Sequence, residues 1–236
     1  MNLGARRSQR APRSPLFSDG TFEFVPSSDG HIAGLPTYSS FKSLSRRPVE
    51  DFVPRSYLDQ AMHNDPEFET FTYGDRPDLK SGAAPLREMN KGDSLFFLAR
   101  LVEWDDENRW GRAGLYLIGE FVLDQVIMKS NTIANPELLE VVKNNAHVMR
   151  WHLSPSLERR NFWVFVGSRE SRRFRHAVPF DERIVNRVLQ TSDEKSAKKQ
   201  EDAGKRHLVG QGNRECLVIH DPASISNLDE YTRGRT

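Results

Sequence analysis

Lys91-Gly92-Asp93-Ser94-Leu95-Phe96-Phe97-Leu98-Ala99-Arg100 and Gly114-Leu115-Tyr116-Leu117-Ile118-Gly119-Glu120-Phe121-Val122 decide how this chain folds. A Gly-Asp corner launches one short apolar run, and the second closes on Gly119 and carries on. Short apolar runs bounded by turn residues read as strands. Strands are therefore expected over 95–102 and 115–127, the second long enough to need a bulge or bend. The charged connection 103–112 joins them. The expected fold class is α+β, with a mostly antiparallel, barrel-like sheet and short helices at its periphery.

Working outward, residues 16–25 alternate apolar and polar side chains around Asp19-Gly20, a strong hairpin signal. Residues 26–36 read as a loop, and 37–45 as a short strand or turn. A weak helical pattern over 58–63 is ended by Asp65-Pro66, since the residue before a proline is pushed out of the α region. A helical turn is expected at 86–89, and a helix over 137–144 with Pro136 in its first turn. Residues 161–166 read as a buried strand stopping at Gly167. A helix is expected over 181–189, acidic in its first turn. Residues 192–206 have little to bury, 217–220 reads as a last strand, and 229–236 as tail. The organisation is a basic tail at 1–13, one domain over 14–190 and a charged C-terminal segment over 191–236.

The bulk numbers exclude more than they assert. Of 236 residues 37% are hydrophobic, with the shortfall at both ends. Lys and Arg number 34 against 33 Asp and Glu, so net charge names no partner. Its distribution says more. Seven arginines between 150 and 176 face only Glu158 and Glu170, a patch able to steer a polyanion or simply a solvated face. The single Cys216 excludes an internal disulfide and any zinc site of several thiolates. No run of about 18 apolar residues exists, so no membrane span is expected. The arginines near the N-terminus lack the apolar segment of a secretory leader, and a cytoplasmic location is expected.

The ordered motifs resemble a known family. Leu16-Phe17-Ser18-Asp19-Gly20-Thr21-Phe22-Glu23-Phe24-Val25-Pro26, Asp65-Pro66-Glu67-Phe68 and Phe71-Thr72-Tyr73-Gly74-Asp75 carry the first half of the likeness. The two central strands, Asn144-Asn145-Ala146-His147, Phe165-Val166-Gly167-Ser168 and Ala177-Val178-Pro179 carry the rest. Together they resemble the nucleotide modification associated domains, most closely the third type. The strand pair is also similar, more distantly, to PUA, EVE and ASCH barrels, which hold a base in a pocket at one end. The resemblance implies a part in DNA modification, with nucleic acid or a nucleotide as partner.

Several side chains could carry chemistry. Near His63, the carboxylates Asp65 and Asp75 can orient an imidazole or share its proton, and with Tyr73 they can also read a base. They can equally cap turns, with Tyr73 in the core. If 145–149 is extended, Asn145, His147 and Met149 share a face; alternatively Asn144-Asn145 caps the preceding helix. Ser168, Arg172 and Arg173 follow a strand end and form a candidate phosphate grip, or a turn with surface ion pairs. The spacing of His63, Asp65, His147 and His152 matches no recognised ligand set, so no metal is expected, and no cofactor. There is no phosphate-binding glycine loop and no nucleophile elbow. The four tryptophans are expected to serve mainly in packing.

The leading expectation is an accessory domain of nucleic-acid modification. In it Tyr73, Asp75, Asn145 and His147 line a base or nucleotide pocket, while Ser168, Arg172 and Arg173 hold phosphate. One alternative is an enzyme pairing His147 with Asp65 or Asp75 for acid–base chemistry. The other is a protein-interaction scaffold working through its charged termini. The sequence leaves open whether the chain catalyses a reaction.

Overall fold

The computed structural model describes residues 2–3, 11–79, 81–105, 107, 109–181 and 222–234. The strand expected at 217–220, the segment 192–206 and nearly all of the helix expected over 181–189 lie outside the described residues. No helix among the described residues is long and apolar enough to cross a membrane.

The two decisive runs form β6 (Ser94–Trp104) and β7 (Trp110–Met128), paired antiparallel from Ser94↔Val122 to Trp104↔Trp110. Residues 95–99 are apolar without alternation because both faces of β6 are covered. Leu95, Phe97, Ala99 and Leu101 enter a core with Ile118 and Phe121. Leu98 packs on the opposite face with Leu117, Phe174, Val178 and Leu228. Leu228 belongs to α4 (Pro222–Thr232), so the first half of the segment read as tail over 229–236 is helix instead. Its Tyr231 hydroxyl donates to the Pro179 carbonyl at 3.0 Å. The amphipathic signal of this helix is weak; docking against the sheet supplies the burial that makes it stable.

The other edge of β7 is occupied by β8 (Trp163–Gly167) and β9 (Arg172–Pro179), laid end to end. The register shifts between Leu123 and Gln125, which is the bend expected in so long a strand. β9 was not expected. Arg172, Arg173, Arg175 and His176 hide its strand pattern, and only Phe174, Ala177 and Val178 are buried. Gly119 is required where β7 passes the core. A Cβ there would collide with the Phe68 ring and come within 2.9 Å of the Arg172 carbonyl oxygen.

β1 (Asn2–Leu3) and β2 (Ser14–Leu16) run parallel to β6, and β5 (Thr72–Asp75) pairs antiparallel with β8. The ladders form an open, branched path, mainly antiparallel. Two single bridges, Leu16↔Phe22 and Thr21↔His176, tie the Asp19-Gly20 turn to the sheet. The architecture is thus α+β, and its strand ladders close no ring among the described residues.

Two expectations near the site are corrected. Residues 61–63 are not helical: Ala61–His63 is β4, antiparallel to β3 (Ser27–Gly30). Pairing with β3 and burial of Ala61 and Met62 outweigh a weak local helical preference. Residues 145–149 are not extended either. After α1 (Lys129–Ala134) and α2 (Pro136–Val142), the chain re-enters a helix at once as α3 (Ala146–Leu153). Asn145 is its N-cap, with Oδ1 accepting the His147 backbone N–H at 3.0 Å. It therefore starts a helix rather than ending one.

Candidate active site

Four separate stretches converge beside β5: the end of β3, the end of β4 with the residues after it, the start of α3, and the loop carrying Glu158. α3 packs directly on β5. Between them lies Gly74, which has no room for a side chain. A Cβ on it would lie 2.5 Å from His147 Cδ2, 2.9 Å from Asn145 Oδ1 and 3.2 Å from Asp65 Oδ2. Its absence lets these three side chains close on the strand, and the Gly74 N–H donates to both oxygens of Asp65, at 2.9 and 3.0 Å.

Two histidines meet at that carboxylate. His147 Nε2 is 3.7 Å from Asp65 Oδ2, and His63 Nε2 is 3.9 Å from the same oxygen. The rings stand edge to face, with centroids 4.9 Å apart. Each imidazole has an acid at its other nitrogen. His63 Nδ1 lies 3.1 Å from Asp29 Oδ2, and His147 Nδ1 lies 3.3 Å from Glu158 Oε2. Such bonds fix the tautomer and direct both Nε2 atoms inward.

The outer acids are held by arginines. Arg76 donates to Glu158 through Nε at 3.0 Å and through a shorter second contact from its terminal nitrogen. Arg150 spans the cluster, its terminal nitrogen donating to Asp29 Oδ1 at 2.8 Å and its Nε standing 3.5 Å from Glu158 Oε2. Lys129 Nζ donates to the Glu158 backbone carbonyl at 2.6 Å.

The electrostatics follow from this wiring. Burial pushes the His147 imidazole below its ordinary pKa, against the opposing pull of Glu158, so the ring is neutral. Burial opposes the charge on Glu158, but the hydrogen bond from His147 together with the Arg76 guanidinium outweighs it and holds the carboxyl below its usual range. Asp29 behaves likewise, burial being overcome by His63 and Arg150. Asp29, Asp65 and Glu158 thus surround the two imidazoles, with Arg76 and Arg150 on the outer acids and the Lys129 ammonium against the Glu158 backbone carbonyl. His63 is the most exposed of the three, its side chain 21% exposed against 7% for His147 and 3% for Asp65.

Not all the residues expected at a site are gathered here. His147 and Asp65 come together, and Asn145 adjoins them. Tyr73 lies in the core against Phe97 and Phe165, its hydroxyl donating to Asp75 Oδ2 at 2.7 Å. The other Asp75 oxygen accepts the Arg76 N–H, also at 2.7 Å. Ser168 Oγ accepts the Glu170 N–H. Arg172 pairs with Glu120 at 3.1 Å and lies over Phe174. Arg173 stands 3.8 Å from Glu23 and over Phe22. These three occupy the β8–β9 edge, with partners in β7 and near the Asp19-Gly20 turn rather than in the cluster.

Sequence reasoning weighed His63 as an imidazole beside Asp65 and Asp75 but left it out of the expected site, and it gave no site role to Asp29, Arg76, Gly74, Arg150 or Glu158. Glu158 looked like a surface partner for arginines, yet it is fully buried. The only local signal was Gly74 inside an otherwise bulky strand, a mark of close approach. A family model described as nucleotide modification associated domain 3 matches residues 1–209. No curated protein and no solved structure matches the chain at a significant level.

Proposed function

The chain belongs to the nucleotide modification associated domain 3 family, and we propose from that premise that it serves nucleic-acid modification by acting on a nucleotide or base at the His63–Asp65–His147 cluster. The observation that carries this reading is the convergence of two acid-backed imidazoles on one buried carboxylate. Burying such charges costs several kcal/mol per ion, and well-packed apolar residues of similar volume often stabilise a core as well or better. An arrangement this expensive is a mark of chemistry rather than of packing.

Transformation is favoured over passive base reading by what the neighbouring polar groups already do. Tyr73 and Asp75 bond each other, and Asn145 Oδ1 is taken by the helix cap. The groups left to meet a substrate are those of the cluster, of which His63 is more exposed than His147 or Asp65. Arg159, Arg160, Arg169 and Arg175 are exposed and supply the polyanion-facing charge, whereas Arg172 and Arg173 face internal acids.

The test is incubation of the purified protein with nucleotides and short DNA and RNA strands, modified and unmodified. Binding is followed by titration and conversion by mass spectrometry. His147→Ala and Asp65→Asn should abolish conversion, while Arg172→Ala/Arg173→Ala should leave most of it. Engagement of the nucleotide that is indifferent to His147 and Asp65 would remove the cluster from the function.

A further inference from the structure

We propose that His63 Nε2, His147 Nε2 and Asp65 Oδ2 form a binding site for one divalent transition-metal ion of the zinc class. The inference rests on the functional reading above and gives that same site its chemistry. One donor atom from each of the three residues lies within 4.8 Å of the other two. The shared Asp65 oxygen is 3.7 and 3.9 Å from the two imidazole nitrogens. Metal–ligand bonds of roughly 2.0–2.2 Å at a tetrahedral ion set donor atoms about 3.3–3.6 Å apart, so the two carboxylate–imidazole distances need shorten by only a few tenths of an ångström on binding.

Three further observations point to a metal rather than to a proton-transfer pair. First, both histidines already have the backing that metal-bound histidines require: Nδ1 against a carboxylate, Nε2 free to point at the ion. Two such rings aimed at one point exceed what a single acid–base pair needs. Second, the two guanidiniums are spent on the outer acids Glu158 and Asp29, whereas the Asp65 carboxylate faces the two imidazole edges. Third, the Asn145 amide nitrogen is buried without a hydrogen-bond partner, although the residue is fully enclosed. An oxygen bound at the ion would supply the missing acceptor for an otherwise costly donor.

The donor set selects the class of ion. Two imidazoles with one carboxylate suit zinc and other first-row transition metals, whereas calcium and magnesium prefer oxygen shells. Three protein ligands leave a coordination position open for water or a substrate atom, the pattern of catalytic rather than structural sites. Asp29 and Glu158 are positioning residues, holding the rings without touching the ion. No short spacing reveals this donor set, because its members come from β4, the residue two beyond it, and α3.

The probe is Co²⁺ added to full-length protein stripped with a chelator, read by visible absorption and by competition with Zn²⁺. A ligand-field band saturating at one equivalent is expected, displaced by Zn²⁺. His63→Ala and His147→Ala should each abolish it, and His152→Ala, an exposed histidine of the same helix, should keep it. Asp29→Asn should retain the band but weaken binding about 10–100-fold, with circular dichroism confirming that the fold persists. Absence of the band in folded wild-type protein overturns the proposal, as does a band unchanged in His63→Ala and His147→Ala. If cobalt does not bind but nucleotide conversion still depends on His147, the metal site is wrong and the functional reading stands. If cobalt binds at one equivalent and nucleotide engagement ignores His147, the reverse holds.

Discussion

Two regions of this molecule pair arginines with buried carboxylates, and they do so to different ends. Along β9, Arg172 meets Glu120 and Arg173 meets Glu23, each guanidinium resting on an aromatic ring. Charge is matched one to one, and nothing is left pointing at a common centre. Beside β5, Arg76 and Arg150 hold Glu158 and Asp29, which in turn hold two imidazoles aimed at a third carboxylate. There the donor atoms converge. Convergence, more than density of charge, distinguishes a working site from an ionic brace.

The sharpest way to break the comparison is Glu158→Ala. It strands Arg76 and Arg150 and frees His147, and loss of one partner from a buried pair costs about 3 kcal/mol or more. Chemical denaturation should show that loss, and the cobalt band should weaken with it. Gly74→Ala should follow, at roughly 2 kcal/mol, because the added methyl presses on His147 within a packed site. It should also displace His147 and Asp65, so a variant that is destabilised yet binds cobalt normally would contradict the geometry described here.

A smaller and diagnostic effect is the pH dependence of the metal-free protein. The folded-state pKa of His147 lies below its unfolded value near 6.5. The unfolded chain therefore binds more protons just below that pH, and stability should fall as the solution is acidified from pH 7 through 6. Glu158 and Asp29 are also depressed, so their contribution is full above their unfolded values of 4.5 and 3.8 and is lost at lower pH. Thermal melts should thus show two acid stages, and His147→Gln should remove the first and weaken the second, since the His147 hydrogen bond helps to hold Glu158 low.

The β9 brace should yield the least. Arg173→Ala is expected to cost about 1 kcal/mol, since Glu23 keeps the Ser43 hydroxyl and the Ser45 N–H as donors. Arg172→Ala should cost less still, because its side chain is partly exposed. Neither should alter cobalt binding. An effect of either on nucleotide conversion comparable with that of His147→Ala would merge the two regions into one site.

What could be read from the residues tracks how local each signal is. The β6–β7 pair, the Asp19-Gly20 turn and the Pro136 helix start were legible because apolar runs, Asp-Gly and Pro at a first turn act within a few residues. β4 and α3 were misread where partners far along the chain, β3 and β5, decided the backbone. β9 was hidden because charged side chains occupy a strand whose burial comes from β7 and α4. At the site, His147 and Asp65 were noticed as chemically capable types, whereas Asp29, Arg150 and Glu158 looked like ordinary surface charge.

By itself, then, the sequence determined the class of fold, its central strand pair and the order of family motifs, since these depend on local pattern. Only the tertiary structure decided which charges are buried and which face one another. Asp29 and Arg150 lie 121 positions apart and Arg76 and Glu158 lie 82 apart. Over such separations no spacing rule constrains side chains; strand pairing and helix docking alone bring them within hydrogen-bonding distance.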